Sequence, residues 1–421
     1  MHWASLNWTD LVLSLFRGTM RCEVPDKKSS WDWAVLTGDV WKKHGQAVAD
    51  ATPYLPGSFD RPPRNPAEKI SSGYKAWEYL LYVVGLGPAL FLDIGLPNKY
   101  WQHFCKGVSV IRCFQQYNIP TPQLVASHER AVEYAAEFET LYYQRMESRI
   151  HFVRQSVHNM PHLGPETIRV GPPGLHAQWT IERTIGNLGQ EIKSHSQPYA
   201  NLSERGLRRS QVNALKAMIP TLDRTDQKGL PRGSVDLGAG FVLLRARDEH
   251  KHHIDGEAGR VIRQYLEGVG KGRIRGDLAV ARWARLRLPN GQIARSAWKE
   301  KRKALNKVRM ARNVKTLIDG KYEIGEVQYF LRASLRGEIC ALALIDFYSQ
   351  PCPDLLQRSF DTIWSCTFEA EDDLRLVPVE SIVSVVAMVP HQYAGQRRYF
   401  LVEKPGLDTI WEEEEDEEEK A

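Results

Sequence analysis

The chain has 421 residues, of which 43% are hydrophobic and twelve are Trp, so it is long enough for two or three domains and too apolar to be disordered throughout. Its most apolar run, residues 80–92, contains Gly85, Gly87 and Pro88 and is too short to span a bilayer, which argues against a membrane partner. The net charge of +5 hides an asymmetry: the tail 412–419 carries eight acidic residues, while residues 271–315 hold fifteen Lys/Arg against Asp277 and Glu300, the footprint of a polyanion partner.

Residues 1–50 alternate Trp-rich apolar stretches with polar breaks and read as helices. The proline-rich stretch 52–66 reads as an extended connector. Helical patterns resume at 67–83, 99–116 and 121–150, and a helical pair at 151–163 and 176–218 is interrupted by GPPG at 171–174. Residues 223–245 read as a linker, and 246–317 as a basic region with helices at 255–267 and 292–317. From about 320 the pattern changes to short β-branched or aromatic runs, such as EIGEVQYFL and SIVSVVAMV, which predict a small antiparallel sheet or barrel. The tail is too acidic to fold alone. Six scattered cysteines without a CxxC pair suit reduced thiols in an intracellular protein, and the opening MHWASLNWTD lacks the flanks of a signal peptide.

Residues 176–218 carry the most chemistry. Ile181, Ile185, Leu188 and Ile192 form an apolar stripe at helical spacing, predicted to pack along one side. Glu182 lies on another face, beneath Gly186 and Gly189, and glycine inside a helix costs about 0.8–1.0 kcal/mol relative to Ala. That cost suggests a close approach to the backbone beside the carboxylate; a lone Glu on such a helix otherwise reads as a solvated residue. Lys193, Arg205, Arg208 and Arg209 follow, as expected near phosphates. His158 and His162 are four apart, but Pro161 between them interrupts any helix, so they read either as ligands or as hydrogen-bonding histidines. GVGKG at 268–272 lacks the first glycine and the Ser/Thr of a P-loop, and LGAGF at 237–241 is not a dinucleotide fingerprint.

Several long runs resemble the Tnp2-like transposases of fungal CACTA (En/Spm-type) DNA transposons. They include LNWTDLVLSLFRGT at 6–19, WDWAVLTGDVWKKHG at 31–45, HFVRQSVHNMPHL at 151–163, QWTIERTIGNLGQEI at 178–192 and WARLRLPNGQIARSAWKE at 283–300, with EKPGLD at 403–408 near the end. The resemblance covers nearly the whole chain. It implies a DDE-type enzyme on an RNase H-like fold, in which carboxylates hold two Mg2+ or Mn2+ ions. In that family the third carboxylate sits in a Tyr/Trp-x-x-Glu-Arg segment; Glu182 of Trp179-Thr180-Ile181-Glu182-Arg183 matches it, with Arg183 as a phosphate neighbour. The two earlier aspartates have no counterpart in motif context, and Met1-His2 looks like the end of the Asp/Cys-x-x-His motif that follows the second. The resemblance also makes His2, His158 and His162 three of the four ligands of a structural Zn2+ site.

These readings predict an α+β chain: a helical, RNase H-related domain over 1–222, a linker and basic helical region over 223–317, a small β-domain over 318–408 and an acidic disordered tail over 409–421. The expected function is that of a nuclear, DNA-binding portion of a CACTA-like transposase, inactive in strand cleavage by itself, with self-association or a full-length transposase as further partners. A non-enzymatic DNA-binding protein derived from a transposon is the alternative, and a metal-dependent hydrolase built on His158 and His162 a third reading. DNA contact is expected from Arg295, Lys299, Lys301, Arg302, Lys303, Arg309 and Arg312 on the helix 292–317, joined by Arg208 and Arg209, with the acidic tail competing for the same surface.

Overall fold

Residues 2–222, 229–270, 278–335 and 338–410 are described by the structure, a computed structural model. Residues 411–421 of the acidic tail and 271–277 of the basic block lie outside them, whereas Thr409 is described and donates its N–H to Gln116 Oε1 at 2.8 Å. The fold is α+β, with helices before about residue 222 and antiparallel strands dominating after 235. Among the described residues no helix is long and apolar enough to cross a membrane.

The helical half is organised by aromatic side chains. Its main helices are α1 (Thr9–Phe16), α2 (Gly38–Asp50), α3 (Asn98–Gln115), α4 (Thr121–Phe138), α5 (Leu163–Val170), α6 (Trp179–Glu191) and α7 (Pro198–Met218). In α3, Tyr100, Trp101, Phe104, Val108 and Ile111 recur at helical spacing and are buried, so this helix runs through the core. Gly107 lets α4 and the first helix approach: a Cβ there would lie 2.7 Å from the Tyr134 ring and 2.8 Å from Trp8. Trp8 stacks on Phe104 and donates its indole N–H to the Tyr134 hydroxyl at 2.9 Å. A second cluster joins Trp31, Trp33, Tyr100, Tyr142 and Phe152 edge to face. Beside it the Asp26 carboxylate accepts from Trp31 Nε1 (2.8 Å) and bidentately from Arg149 (2.8 and 2.6 Å).

The apolar run at 80–92 is helical and buried, with a π-helical turn at Leu80–Leu86. Pro88 brings no N–H to that turn, and the carbonyls of Val84 and Gly85 are taken instead by the Arg112 guanidinium from α3 (2.8–3.1 Å). The same guanidinium donates to the carbonyl of Thr362 at 2.7 Å, 250 residues on.

The strands are β1 (Val235–Gly238), β2 (Phe241–Leu243), β3 (His252–His253) and β4 (Ala279–Val280), then β5 (Arg285–Arg287), β6 (Ile293–Arg295) and β7 (Asn313–Ile318). They continue with β8 (Lys321–Leu335), β9 (Glu338–Phe347), β10 (Ser365–Cys366), β11 (Leu374–Pro378), β12 (Ile382–Val385), β13 (Ala387–Tyr393) and β14 (Gln396–Val402). A five-stranded antiparallel sheet, β11-β9-β8-β7-β12, is buried on both faces. In β9, Ala341, Ala343, Ile345 and Phe347 face the sheet β1-β2-β5-β6, while Leu342 and Leu344 face helix α8 (Gly256–Gly270) through Ile262. That two-sided burial explains the unbroken apolar run in ALALIDF. The third sheet, β10-β14-β13, turns Ala387, Val389, Phe400 and Val402 into the aromatic core of the helical half.

Three sequence expectations are corrected. No helix spans 292–317: residues 293–295 form β6, a single helical turn follows at Ala297–Glu300, and 313–318 form β7. The cause is Asn290-Gly291, where Gly291 takes φ +80° and folds LRLPNGQIAR into a hairpin with Arg285 opposite Arg295 and Arg287 opposite Ile293. The expected linker 223–245 contains the β1–β2 hairpin, turned at Gly238-Ala239-Gly240 with positive φ at all three residues. The stripe on α6 is not packed: Ile181 and Ile185 are 61% and 59% exposed. The helix predicted over 255–267 is present as α8.

The Asp26–Arg149 pair is all but fully buried, so removing either partner leaves an uncompensated charge. Arg149→Met is expected to lower unfolding free energy by about 3–5 kcal/mol in denaturant titrations. The Arg149 guanidinium beside Asp26 holds its carboxyl down at about 2. Because the folded value lies below the ordinary one of 3.8, this contribution is present above about pH 4 and is lost as pH falls through 2. Asp26→Asn should therefore flatten the acid limb of the stability profile.

Candidate nucleic-acid interface

Glu182 and Arg183 sit on the first turn of α6, which is anchored by Trp179 packing edge to face on Trp77 (5.6 Å between ring centroids). Both side chains line an open groove of about 640 Å3, together with Asp60, Tyr117, Lys404 and Gly406. Two carboxylates, Asp60 and Glu182, thus reach one groove. Among the described residues no cluster of three His, Cys, Asp or Glu side chains is placed to hold a metal ion. Glu191 pairs with Arg209, so the other acidic residue of α6 is engaged.

The two histidines meet although the chain between them is not one helix. A helical turn at Gln155–His158 is followed by a 3-10 turn at Met160–His162, with Pro161 in its first turn. The rings lie 5.0 Å apart at 62°, and both residues are exposed. Trp3 donates its indole N–H to the Ser156 carbonyl at 3.0 Å, which brings the segment bearing His2 to the same side. With exposed rings, the pair could contribute two nitrogens to a metal; the structure gathers no third ligand around them among the described residues.

The cations chosen from the sequence divide into two kinds. Arg309 is structural: it donates to the carbonyls of Leu55, Pro56 and Asp60 at 2.5–3.2 Å and pins the proline-rich connector. Arg312 is largely buried between Glu326 (2.6 Å) and Glu300 (3.7 Å), and Lys301 also reaches Glu326 at 2.6 Å. Burial pushes the Glu326 carboxyl up, but Arg312 and Lys301 outweigh it and hold the group below its ordinary value. Arg208 pairs with Glu204 at 2.5 Å on its own helix.

Lys299, Arg302 and Lys307 form no ion pair among the described residues, and Lys303 acts on Glu300 through its charge without a contact pair. Lys299 Nζ lies 3.9 Å from the Trp298 ring centroid, and the guanidiniums of Arg282 and Arg302 lie at 4.5 and 5.8 Å. Three cations therefore crowd one indole. On the adjoining sheet, Arg285 and Arg295 are directly opposed across β5 and β6, with Arg287 two residues along on the same face. Like charges directly opposite destabilise a strand pair. Glu300 lies 3.8 Å from Arg295, whereas Arg285 and Arg287 have no ion-pair partner among the described residues, and Arg285 Nε is buried without an acceptor. Arg247, over the Trp283 ring at 5.0 Å, extends the patch.

Arg285, Arg287, Arg247 and Asp60 were not singled out from sequence. The signal for the first two was the period-2 pattern Arg-Leu-Arg ahead of Asn-Gly, which puts both arginines on one strand face. No protein-family profile, curated protein or solved structure matches the chain in comparisons of sequence and fold.

Arg309 and the free cations should separate on mutation. Arg309→Gln is expected to lower stability by on the order of 1–3 kcal/mol, because it strips donors from half-buried carbonyls. The salt dependence of nucleic-acid binding should not change in that variant. Thermal denaturation alongside anisotropy on duplex DNA checks both halves.

Proposed function

We propose that the chain is a DNA-binding protein of transposase origin, acting in the nucleus as the DNA-contacting portion of a CACTA-like transposase and not cleaving strands by itself. The observation that carries the binding reading is the opposed pair Arg285–Arg295 with Arg287 on one sheet face, continued by the lysines and arginines around Trp298. An arrangement that repels itself is stabilised when an array of phosphates neutralises it, and strand-borne guanidiniums suit bidentate phosphate contact. Transposase origin rests on the motif resemblance, above all on Trp179-Thr180-Ile181-Glu182-Arg183. The inactivity is expected from mechanism: a two-ion reaction of that class uses three carboxylates, and among the described residues Asp60 is the one other carboxylate lining the groove of Glu182. Mg2+ or Mn2+ would be needed only by an assembly that supplies the missing ligand.

Binding to duplex DNA should be weakly sequence-dependent and steep in salt. Arg285→Gln with Arg287→Gln should weaken it and reduce the slope of log K against log salt by about 2, from the loss of two phosphate contacts at roughly 0.9 each. The variant carrying Gln at 299, 302 and 303 should lose further slope. Anisotropy across a salt series measures this, and slopes identical to the parent would leave the patch a solvated surface. Incubation of transposon-end DNA with the chain and Mn2+ should give no nicks; nicking that Glu182→Gln abolishes would establish an active enzyme.

A further inference from the structure

We infer that the groove beside Glu182 receives one unpaired nucleotide from the strand whose duplex part lies on the arginine face; this rests on the DNA-binding reading above. The groove has the parts a nucleotide needs. Tyr117 is 55% exposed, and its ring is set against the backbones of Gly174 and Gly406, where a Cβ would come within 3.3 and 3.4 Å of it. Gly406 has φ +96°, a conformation strained for any other residue, so the floor beside that ring is held bare. Trp179 also lines the groove, from its edge-to-face seat on Trp77. Aromatic faces of this kind stack bases without regard to sequence.

Charge is sorted around these rings. Arg183 and Lys404 line the groove with Glu182 and Asp60, and none of the four side chains forms an ion pair among the described residues. Cations left free in this way suit the nucleotide's phosphate, and the carboxylates can accept from the exocyclic amino groups of adenine, cytosine or guanine. A purely anionic or purely apolar ligand would leave half of this lining without a partner.

The groove is also joined to the arginine face. Gln292, next to Ile293 in β6, donates to the Ser58 hydroxyl at 3.3 Å, and Ser58 lies two residues before Asp60 in the connector pinned by Arg309. The opposed pair Ile293–Arg287 is thus separated from Asp60 by one hydrogen bond and three residue steps.

The test uses the full chain and a DNA duplex with a short 3′ overhang carrying 2-aminopurine, whose fluorescence falls on stacking. Three arms compare this probe with 2-aminopurine inside the duplex and with the free deoxynucleoside monophosphate. The expected result is quenching of the overhang probe alone. Tyr117→Leu should weaken overhang binding on the order of tenfold while leaving the affinity for blunt duplex unchanged. Glu182→Gln, a change at an exposed position, should reduce the preference for cytosine over thymine in the overhang. If blunt duplex binds and the overhang probe is not quenched, the groove assignment fails and the DNA-binding reading stands. If neither binds, both fail. Equal quenching of the free monophosphate would make the groove a mononucleotide site and overturn its link to the strand.

Discussion

The guanidinium of Arg112, largely buried, ties the two halves of the molecule together at their seam. Pro88 cannot donate to the carbonyls of the preceding turn, and the π-helical turn at Leu80–Leu86 aims Val84 and Gly85 outward from their own helix. Arg112 supplies the missing donors from α3 and donates from Nη1 to the Thr362 carbonyl beside β10. Burial draws the Arg112 pKa down to about 10, so it stays charged at neutral pH and its donors stay directional. Around it, Gly85 admits Val402 of β14 to close contact: a Cβ at Gly85 would stand 3.3 Å from the valine methyl. The β13–β14 pair can therefore serve as a wall of the aromatic core, and the largest apolar cluster draws on residues as distant as Ala4 and Val402. Removing the guanidinium would strand three buried carbonyls at the seam, which costs more than an apolar replacement could return.

The proline-rich connector is the second tie. Met310 donates to the Pro53 carbonyl at 2.8 Å, Arg309 holds Leu55, Pro56 and Asp60, and Gln292 reaches both Ser58 and the Val385 carbonyl. Its prolines leave carbonyls without matching N–H groups of their own, and the basic region supplies donors to them. Cations of that region thus serve two ends, and local geometry decides which. Those that meet carbonyls or buried carboxylates are structural, whereas Arg285 and Arg287 on the outward face of β5 have no ion-pair partner among the described residues.

The helical half was legible in outline because its helices carry a period. Asn98–Gln115 and Thr121–Phe138 fall close to where the spacing of aromatic and apolar residues puts them. The sheet region after 320 was legible as strands because β-branched runs alternate with turns. The basic region was misread for one reason: its charge density and alanines suit a solvated helix, and that pattern outweighed the Asn-Gly turn and the alternation in ARLRLPNGQIAR. The α6 stripe was misread for another. Its period predicts a helix correctly, but periodicity does not say that a partner is present, and half of the large apolar side chains that are exposed among the described residues fall within 168–222. Of the candidate site, Glu182 and Arg183 were legible from the motif. Asp60, Tyr117 and Lys404 were not, since only the fold brings residues 60, 117, 182 and 404 to one groove.

Acidic residues complete the electrostatic logic. The carboxylates nearest the basic region are placed inside: Glu326 between Arg312 and Lys301, Asp248 against Arg282 at 2.8 Å, Glu403 against the buried Lys315 at 2.6 Å, Glu323 against Arg375 at 2.8 Å. Each is matched by a cation, which ranges from the buried Lys315 to the half-exposed Lys301. Interior acids neutralise interior bases, so little negative charge remains to screen Arg285, Arg287 and their neighbours from solvent. A surface built this way keeps its positive field at short range, where the low-dielectric sheet beneath it limits screening. In the groove beside α6, Glu182 and Asp60 stand with Arg183, Lys404 and aromatic rings, and Asp60 also faces the charge of Arg309.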